Sequence, residues 1–196
     1  MTATPAILLA STSPHRRALL TRLGLPFDCL APGVSENELQ GELPSARAAR
    51  LALAKARSVA TAHPAAIVIG SDQVASLAGP ADPVLLHKPG DRSTCHAQLR
   101  AMSGRSVRFD TAVAVIRGAT ELTHTDLTQV HFRHLDDAAI ESYMDREPSF
   151  DCTGGFRCEG LGVSLFESIE TRDPTALIGL PLIWVCAALR RLGVSP

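Results

Sequence analysis

Aromatic side chains are scarce in this 196-residue chain, with six Phe, one Tyr and one Trp making 4% of it. Few platforms are left on which the bases of a nucleic acid could stack. Basic charge is not in excess either, at 19 Lys+Arg against 20 Asp+Glu. No global field recruits nucleic acid or an anionic membrane, and any anion site must be local. The five cysteines, Cys29, Cys95, Cys152, Cys158 and Cys186, include no CxxC pair and are odd in number. That argues against a secreted disulfide framework and for reduced thiols. No N-terminal stretch combines a charged start with an apolar core, and the longest apolar run, Leu177–Leu189, is short and broken by Gly179 and Pro181. Neither a signal peptide nor a membrane span is expected, and the chain reads as cytoplasmic. Its length suits a single domain, 1–196, with two lobes, and no repeat, low-complexity segment or linker divides it.

What is present begins with Ser11-Thr12-Ser13-Pro14-His15-Arg16-Arg17. Ala6–Ala10 is a short apolar run suited to an interior strand, Ser13 is a good N-cap, and Pro14 fits the first helical position, where its missing N–H costs nothing. The turn thus gathers hydroxyls, unpaired N–H groups at the positive end of a helix, and two guanidinium forks that match phosphate oxygens. A polyphosphate suits it, and an ordinary capped helix with solvated arginines explains the same residues.

Further along, Pro26–Ala31 reads as a strand ended by Pro32-Gly33. An acidic loop with Val34-Ser35-Glu36, Glu38 and Glu42 follows, and Pro44 opens an Ala-rich helix to about Ala62. Leu51, Lys55 and Val59 stand four apart on it, which lines Lys55 up with apolar neighbours toward a cleft; a snorkelling lysine is the plainer alternative. Ala65–Gly70 is a continuous apolar strand ending in Ser71-Asp72-Gln73, which places a carboxylate at a strand's carboxyl end. There it would hold a divalent ion or activate a water, or else simply cap a turn. Lys88 ends another short strand and is a second candidate phosphate contact, before a helix that runs from about Asp91 to near Gly104.

From Ser106 the period changes. Val107–Ile116 and Glu121–Arg133 read as a hairpin joined near Gly118, the start of a second lobe. His131 and His134 form HxxH, but on a strand this spacing puts the rings on opposite faces and excludes a zinc site. Asp136 or Asp137 caps a helix to about Arg146. The segment from Phe150 to Gly162 carries glycines at 154, 155, 160 and 162 around Glu159. It reads as backbone in close approach to something, or as a strained loop with Glu159 solvated. Arg172-Asp173-Pro174 precedes Leu177–Pro181, and Pro181 begins a closing apolar helix to about Leu192, with Trp184 and Cys186 in a core or interface.

Taken together and in order, STSPHRR (Ser11–Arg17), VSE (Val34–Glu36), LALAKA (Leu51–Ala56), GSDQV (Gly70–Val74), HKP (His87–Pro89), MSG (Met102–Gly104), GGFRCEG (Gly154–Gly160) and RDPTALIGLP (Arg172–Pro181) resemble the Maf-like nucleoside triphosphate pyrophosphatase family nearly end to end. The resemblance implies an α/β fold, a two-lobed mixed sheet with flanking helices around a central cleft, commonly a homodimer. It implies hydrolysis of a nucleoside triphosphate between the α- and β-phosphates with a divalent cation, Mg, Mn or Co. By the same resemblance Asp72 is the proton acceptor, Glu36 and Asp72 hold the metal, Lys55 and Lys88 complete the catalytic set, and Ser11, Ser13, Arg16 and Arg17 bind phosphate. Ser35 replaces the acid usual before the glutamate, and His87 the glycine usual before the lysine.

Ser71-Asp72-Gln73 and Arg157-Cys158-Glu159 look like the branch that cleaves 7-methyl-GTP, with His15, Gln73 and Glu159 as specificity residues. A carboxylate can accept from the guanine N1–H and exocyclic amine, and N7-methylation makes the base a cation for an aromatic ring to stack on. His15 stands where this branch often has a larger aromatic. A branch acting on dTTP or UTP is the runner-up, with glutamine in place of Glu159, and a non-catalytic nucleotide-binding regulator of septum formation is the alternative of another class. The presence of Asp72, Glu36 and both lysines argues against the latter.

Overall fold

A computed structural model describes residues 5–78 and 83–196. In chain order the elements are β1 (Ile7–Ala10), α1 (Pro14–Thr21), β2 (Asp28–Leu30), α2 (Pro44–Ala62), β3 (Ile67–Leu77), β4 (Val84–Leu86), α3 (Arg92–Met102), β5 (Ser106–Arg117), β6 (Thr120–Phe132), α4 (Asp137–Arg146), β7 (Phe166–Thr171) and α5 (Leu182–Arg191). Short 3-10 turns at Thr153–Gly155 and Leu161–Leu165 precede β7. The seven-stranded mixed sheet has the order β2-β1-β3-β5-β6-β7, with β4 on β3. The chain packs into two units, one of Met1–Gln73, Thr111–Asp126 and Asp173–Pro196, the other of Val74–Asp110 and Leu127–Arg172. The expected β5–β6 hairpin forms, but it is divided between the units, its tip belonging to the first.

In the first unit β1 pairs in parallel with β2 and β3, Leu9 opposite both Cys29 and Ile69. Successive residues of a strand face opposite ways, so its continuous apolar runs feed two cores. Ile7, Leu9, Ile67, Ile69, Val113 and Val115 pack with Leu19 and Leu20 of α1 and Leu182, Val185 and Leu189 of α5. The alternate set, Leu8, Ala10, Val68, Ala114 and Ile116, packs with Ala56 and Val59 of α2. Each such Leu, Ile or Val stabilises the fold by about 1.5–3 kcal/mol relative to exposure.

Helix α2 lies unusually close to β3. Ala48, Ala52 and Ala56, four apart, are fully buried, and a Cβ on Gly70 would sit 2.5 Å from the Ala52 carbonyl and 2.6 Å from the Ala56 nitrogen. Only a glycine opposite a stripe of alanines permits that approach.

One expectation changes here. Asp72 does not end its strand, because β3 continues to Leu77 and pairs antiparallel with β4, Ala75 opposite Leu86 and Leu77 opposite Val84. The carboxylate is nevertheless past the end of β1, whose pairing with β3 stops at Ile69. Strand β2 is shorter than expected, and β7 escapes sequence reading because its middle residues are exposed and carry no alternating pattern.

The second unit spends four of the six phenylalanines on one cluster. Phe109, Phe132, Phe156 and Phe166 meet edge to face with ring centroids 5.0–5.7 Å apart, the geometry aromatic quadrupoles favour. Asp91 and Asp136 cap α3 and α4, accepting from the N–H groups of Thr94 and Ala139. Arg92 bridges α3 to Glu141 and Asp145 of α4. All five cysteines are free, and among the described residues no helix is long and apolar enough to cross a membrane.

Gly70→Ala should destabilise the protein by about 1–3 kcal/mol, the range for overpacking, since its methyl meets backbone that cannot swing aside. The urea midpoint reads this, and an unmoved midpoint would contradict so close a packing.

Candidate functional site

Lys55 is the centre of the first unit's polar residues. It rides on α2 one residue before Ala56, so the close seating of α2 on β3 carries its side chain inward beside Asp72. Lys55 is 5% exposed and Asp72 7%, and Lys55 Nζ donates to Asp72 Oδ1 at 2.6 Å. The same ammonium lies 2.6 Å from Glu36 Oε1, although the Glu36 side chain is 57% exposed. One cation therefore gathers a carboxylate from a strand and another from a loop. Two ions removed from water need this mutual compensation, because each alone would carry a penalty of several kcal/mol.

The Ser11–Arg17 turn forms as read. Ser13 caps α1, its Oγ accepting from the Arg16 N–H at 3.4 Å, and Ser11 Oγ accepts from the Ser13 N–H at 3.1 Å. Arg16 is half-buried and its Nε donates to the Gly179 carbonyl at 2.9 Å. Burial pulls its pKa down, while Asp72 and Glu36 act to hold it up, so its guanidinium lies in the field of both carboxylates. Arg17 is exposed and His15 half-buried.

Gly179 is part of a support that sequence reading missed. Its carbonyl also accepts from Ser71 Oγ at 3.0 Å. Gln73 Nε2 donates toward Thr111 Oγ1 and the carbonyls of Ala176 and Leu177 at 2.9–3.0 Å, and Thr111 Oγ1 donates to the Ala176 carbonyl. Three carbonyls of one loop thus fasten the side chains flanking Asp72 and the Nε of the Arg16 guanidinium. Buried Asp173 shapes that loop, accepting from Thr175 N–H and Oγ1 and from the Ile183 N–H at the start of α5. The Asp-Pro-Thr turn was the available signal, since Asp and Thr side chains there bond backbone locally. Gln73, expected to read a base, has its amide nitrogen engaged in this loop.

Lys88 and Glu159 belong to the second unit and are exposed. The segment carrying Lys88 is stitched to the glycine-rich one, Gly154 N–H donating to the His87 carbonyl at 3.2 Å and Gly90 N–H to the Phe150 carbonyl at 2.9 Å. The glycines answer to their own unit. At Gly155, φ +76°, a Cβ would lie 2.6 Å from Cys95 Sγ; at Gly160 it would strike the Glu147 carboxylate, and at Gly162 the Arg157 carbonyl. Cys158 Sγ donates to Glu159 Oε2 at 3.5 Å, and burial, aided by Glu159, pushes that thiol up to about 12. It is a neutral donor to the carboxylate at physiological pH.

Chemically, the first unit offers two carboxylates on one lysine, an arginine in their field, and a capped helix start. The Lys55 ammonium takes one oxygen of each carboxylate and supplies positive charge for an anionic ligand; the carboxylates are hard oxygen donors, the type that would hold a magnesium-like ion.

Residues 6–192 match the family described as Maf-like protein, and the chain belongs to that family. It is 56% identical over 189 residues to the protein named 7-methyl-GTP pyrophosphatase of Xanthomonas oryzae pv. oryzae, covering 96% of this chain and 97% of that one. Proteins of the same name in Albidiferax ferrireducens and Bordetella avium are 49% and 48% identical over 191 and 192 residues, with 96% and 98% of this chain and 94% and 95% of theirs covered. Among solved structures the Staphylococcus aureus Ham1 protein aligns at a TM-score of 0.45 and 12% identity, over 65% of this chain and 71% of that one.

Lys55→Met should cost about 3–5 kcal/mol, because it leaves Asp72 buried without its cation, whereas Lys55→Met with Asp72→Leu should recover most of the loss. Urea unfolding of the single and double variants checks this. Equal destabilisation in both would mean that the pair contributes only by packing.

Proposed function

We propose that this protein is a nucleoside triphosphate pyrophosphatase that hydrolyses the α–β phosphoanhydride of 7-methyl-GTP to 7-methyl-GMP and diphosphate, clearing a modified nucleotide from the pool. Identity near 50% to three proteins of that name, over nearly the whole of each chain, is the observation that carries the reading. In the proposed reaction a water oxygen bonds to the α-phosphorus, its proton passes to Asp72, and the bond from that phosphorus to the bridging oxygen breaks. Lys55 orients Asp72 and adds positive charge beside the developing oxyanions, and Arg16 and Arg17 match the phosphates with forked donors. Ser11 and Ser13 join them at the start of α1, and Lys88 is assigned to the triphosphate. Glu36 and Asp72 would hold a divalent cation, Mg, Mn or Co, which when bound neutralises phosphate charge. We further propose a homodimer, as the family resemblance implies, located in the cytoplasm.

Base selection is assigned to His15, Gln73 and Glu159. Guanine presents N–H donors on its Watson–Crick edge, and Glu159 is the carboxylate able to accept from them. Gln73, with its nitrogen already engaged, contributes through its carbonyl oxygen and by fixing the loop from Ala176 to Leu177.

The test is pyrophosphate release from 7-methyl-GTP, GTP, UTP and dTTP in parallel, with magnesium, manganese or cobalt. Selective turnover of 7-methyl-GTP is expected, abolished in Asp72→Asn while nucleotide binding persists. Preference for UTP or dTTP would overturn the base assignment alone, and normal turnover by Asp72→Asn would remove the proposed base.

Glu159→Gln should narrow the preference for 7-methyl-GTP over UTP by about 1.5–3 kcal/mol, the scale of a hydrogen bond to a charged group. Relative kcat/KM values measure it, and an unchanged ratio would free Glu159 from base readout.

A further inference from the structure

The segment that delivers Glu36 carries no regular element and buries little of itself. Residues 31–39 are neither helix nor strand, Ser35 through Gln40 are exposed, and the loop's leucines, Leu39 and Leu43, are exposed as well. Burial therefore does not anchor it, yet the Glu36 carboxylate meets Lys55 at 2.6 Å. A pair of arginines one turn apart on α2, the helix that carries Lys55, restrains the loop. Arg47 Nη2 donates to the Glu36 carbonyl at 3.1 Å while its Nη1 pairs with Glu38 at 2.6 Å. Arg50 Nη2 donates to the Asn37 carbonyl at 3.2 Å, and its fork closes on both oxygens of Glu42 at 2.6 Å each. Two consecutive carbonyls, those of Glu36 and Asn37, are thus each tied to the same helix, and the carboxylates of Glu38 and Glu42 hold the two guanidinium groups to the loop.

We propose that Arg47 and Arg50 are positioning residues that set Glu36 against Lys55 and so complete the carboxylate pair proposed above to hold the cation; the inference rests on that reading of the site. Exposed ion pairs add little to global stability, so the clamp acts on local geometry. Mutating the hydrogen-bonding partners that orient metal ligands typically costs about 10–100-fold in metal affinity or activity, and a planar fork restrains a carbonyl and a carboxylate together in a way an ammonium does not.

The experiment compares wild type with Arg47→Ala/Arg50→Ala, Arg50→Lys and Glu36→Gln in the full-length protein. For the double variant, kcat for pyrophosphate release from 7-methyl-GTP should fall about 10–100-fold and the half-saturating magnesium concentration should rise about tenfold. KM for the nucleotide should stay within about threefold, since the loss is not one of uniform binding. A glutamyl endopeptidase should cut after Glu38 or Glu42 about tenfold faster while the thermal midpoint barely moves. Arg50→Lys should fall between, and Glu36→Gln should lose activity without faster cutting. Wild-type cutting and wild-type magnesium dependence in the double variant would overturn the clamp. Failure of the wild type to release pyrophosphate from any nucleotide would overturn the functional reading instead, and the cutting rates would then decide the clamp alone.

Discussion

The ammonium of Lys55 between Asp72 and Glu36 is the interaction on which the first unit's polar architecture depends. A lysine has a long flexible stem and a strongly hydrated head, and it does not bury itself without compensation. Here the compensation comes from a strand and a loop far apart in sequence, and it is available only because α2 runs hard against β3. That proximity traces back to the smallest side chains in the chain. Gly70 has no Cβ to hold the helix away, and Ala48, Ala52 and Ala56 present it with a flat face. An alanine-rich helix is read first as a matter of propensity; in this position the same alanines set a distance, and the distance sets the charge cluster.

A second support comes from the segment Asp173–Pro181. It contributes backbone carbonyls rather than charged groups, those of Ala176, Leu177 and Gly179, which accept from Gln73, Thr111, Ser71 and Arg16. Asp173 and Thr175 give the loop its shape through short local hydrogen bonds, and Asp173 ties it to the start of α5. Acceptors of this kind hold the donor ends of these side chains and leave the Arg16 guanidinium its Nη groups and Gln73 its carbonyl oxygen. A loop that looks like a connection is thereby the frame for two elements, the β3 segment around Asp72 and the first turn of α1.

These contributions were unequally visible in the sequence. The α1 turn was legible because its parts are local: Ser13 caps, Pro14 begins, and both signals lie within four residues of the event. The inward aim of Lys55 was one of two readings allowed by the four-residue spacing of Leu51, Lys55 and Val59, since helix geometry gives a shared face but does not say whether a long side chain on it stays buried or snorkels. The end of β3 was misplaced because Ser71-Asp72-Gln73 looks like a polar stop, whereas the strand is carried on by pairing with β4, a partner no local pattern announces. The roles of Asp173, Thr111, Arg47 and Arg50 were hidden for a related reason. Thr111, Arg47 and Arg50 donate to backbone carbonyls and Asp173 accepts from backbone N–H groups, and neither kind of group has a letter of its own in the sequence.

The glycine-dense segment shows how the same composition admits two physical causes. Glycine gives way either to a ligand or to the protein's own atoms, and composition does not distinguish them. At Gly155, Gly160 and Gly162 the approaching atoms are a thiol, a carboxylate and a carbonyl of the same unit. Close packing is therefore what those glycines serve, and it has a chemical consequence for their neighbour. The backbone beside Glu159 is bonded at Gly160 to the Arg157 carbonyl and at Gly162 to the Glu147 carboxylate, and Cys158, held neutral by burial, donates to the Glu159 carboxylate. An exposed acid is ordinarily a poor reader of anything, because rotamer freedom and water dilute its preference. One that accepts from a neighbouring thiol has lost part of that freedom before any ligand arrives, and the base reading proposed for Glu159 would draw on that preorganisation.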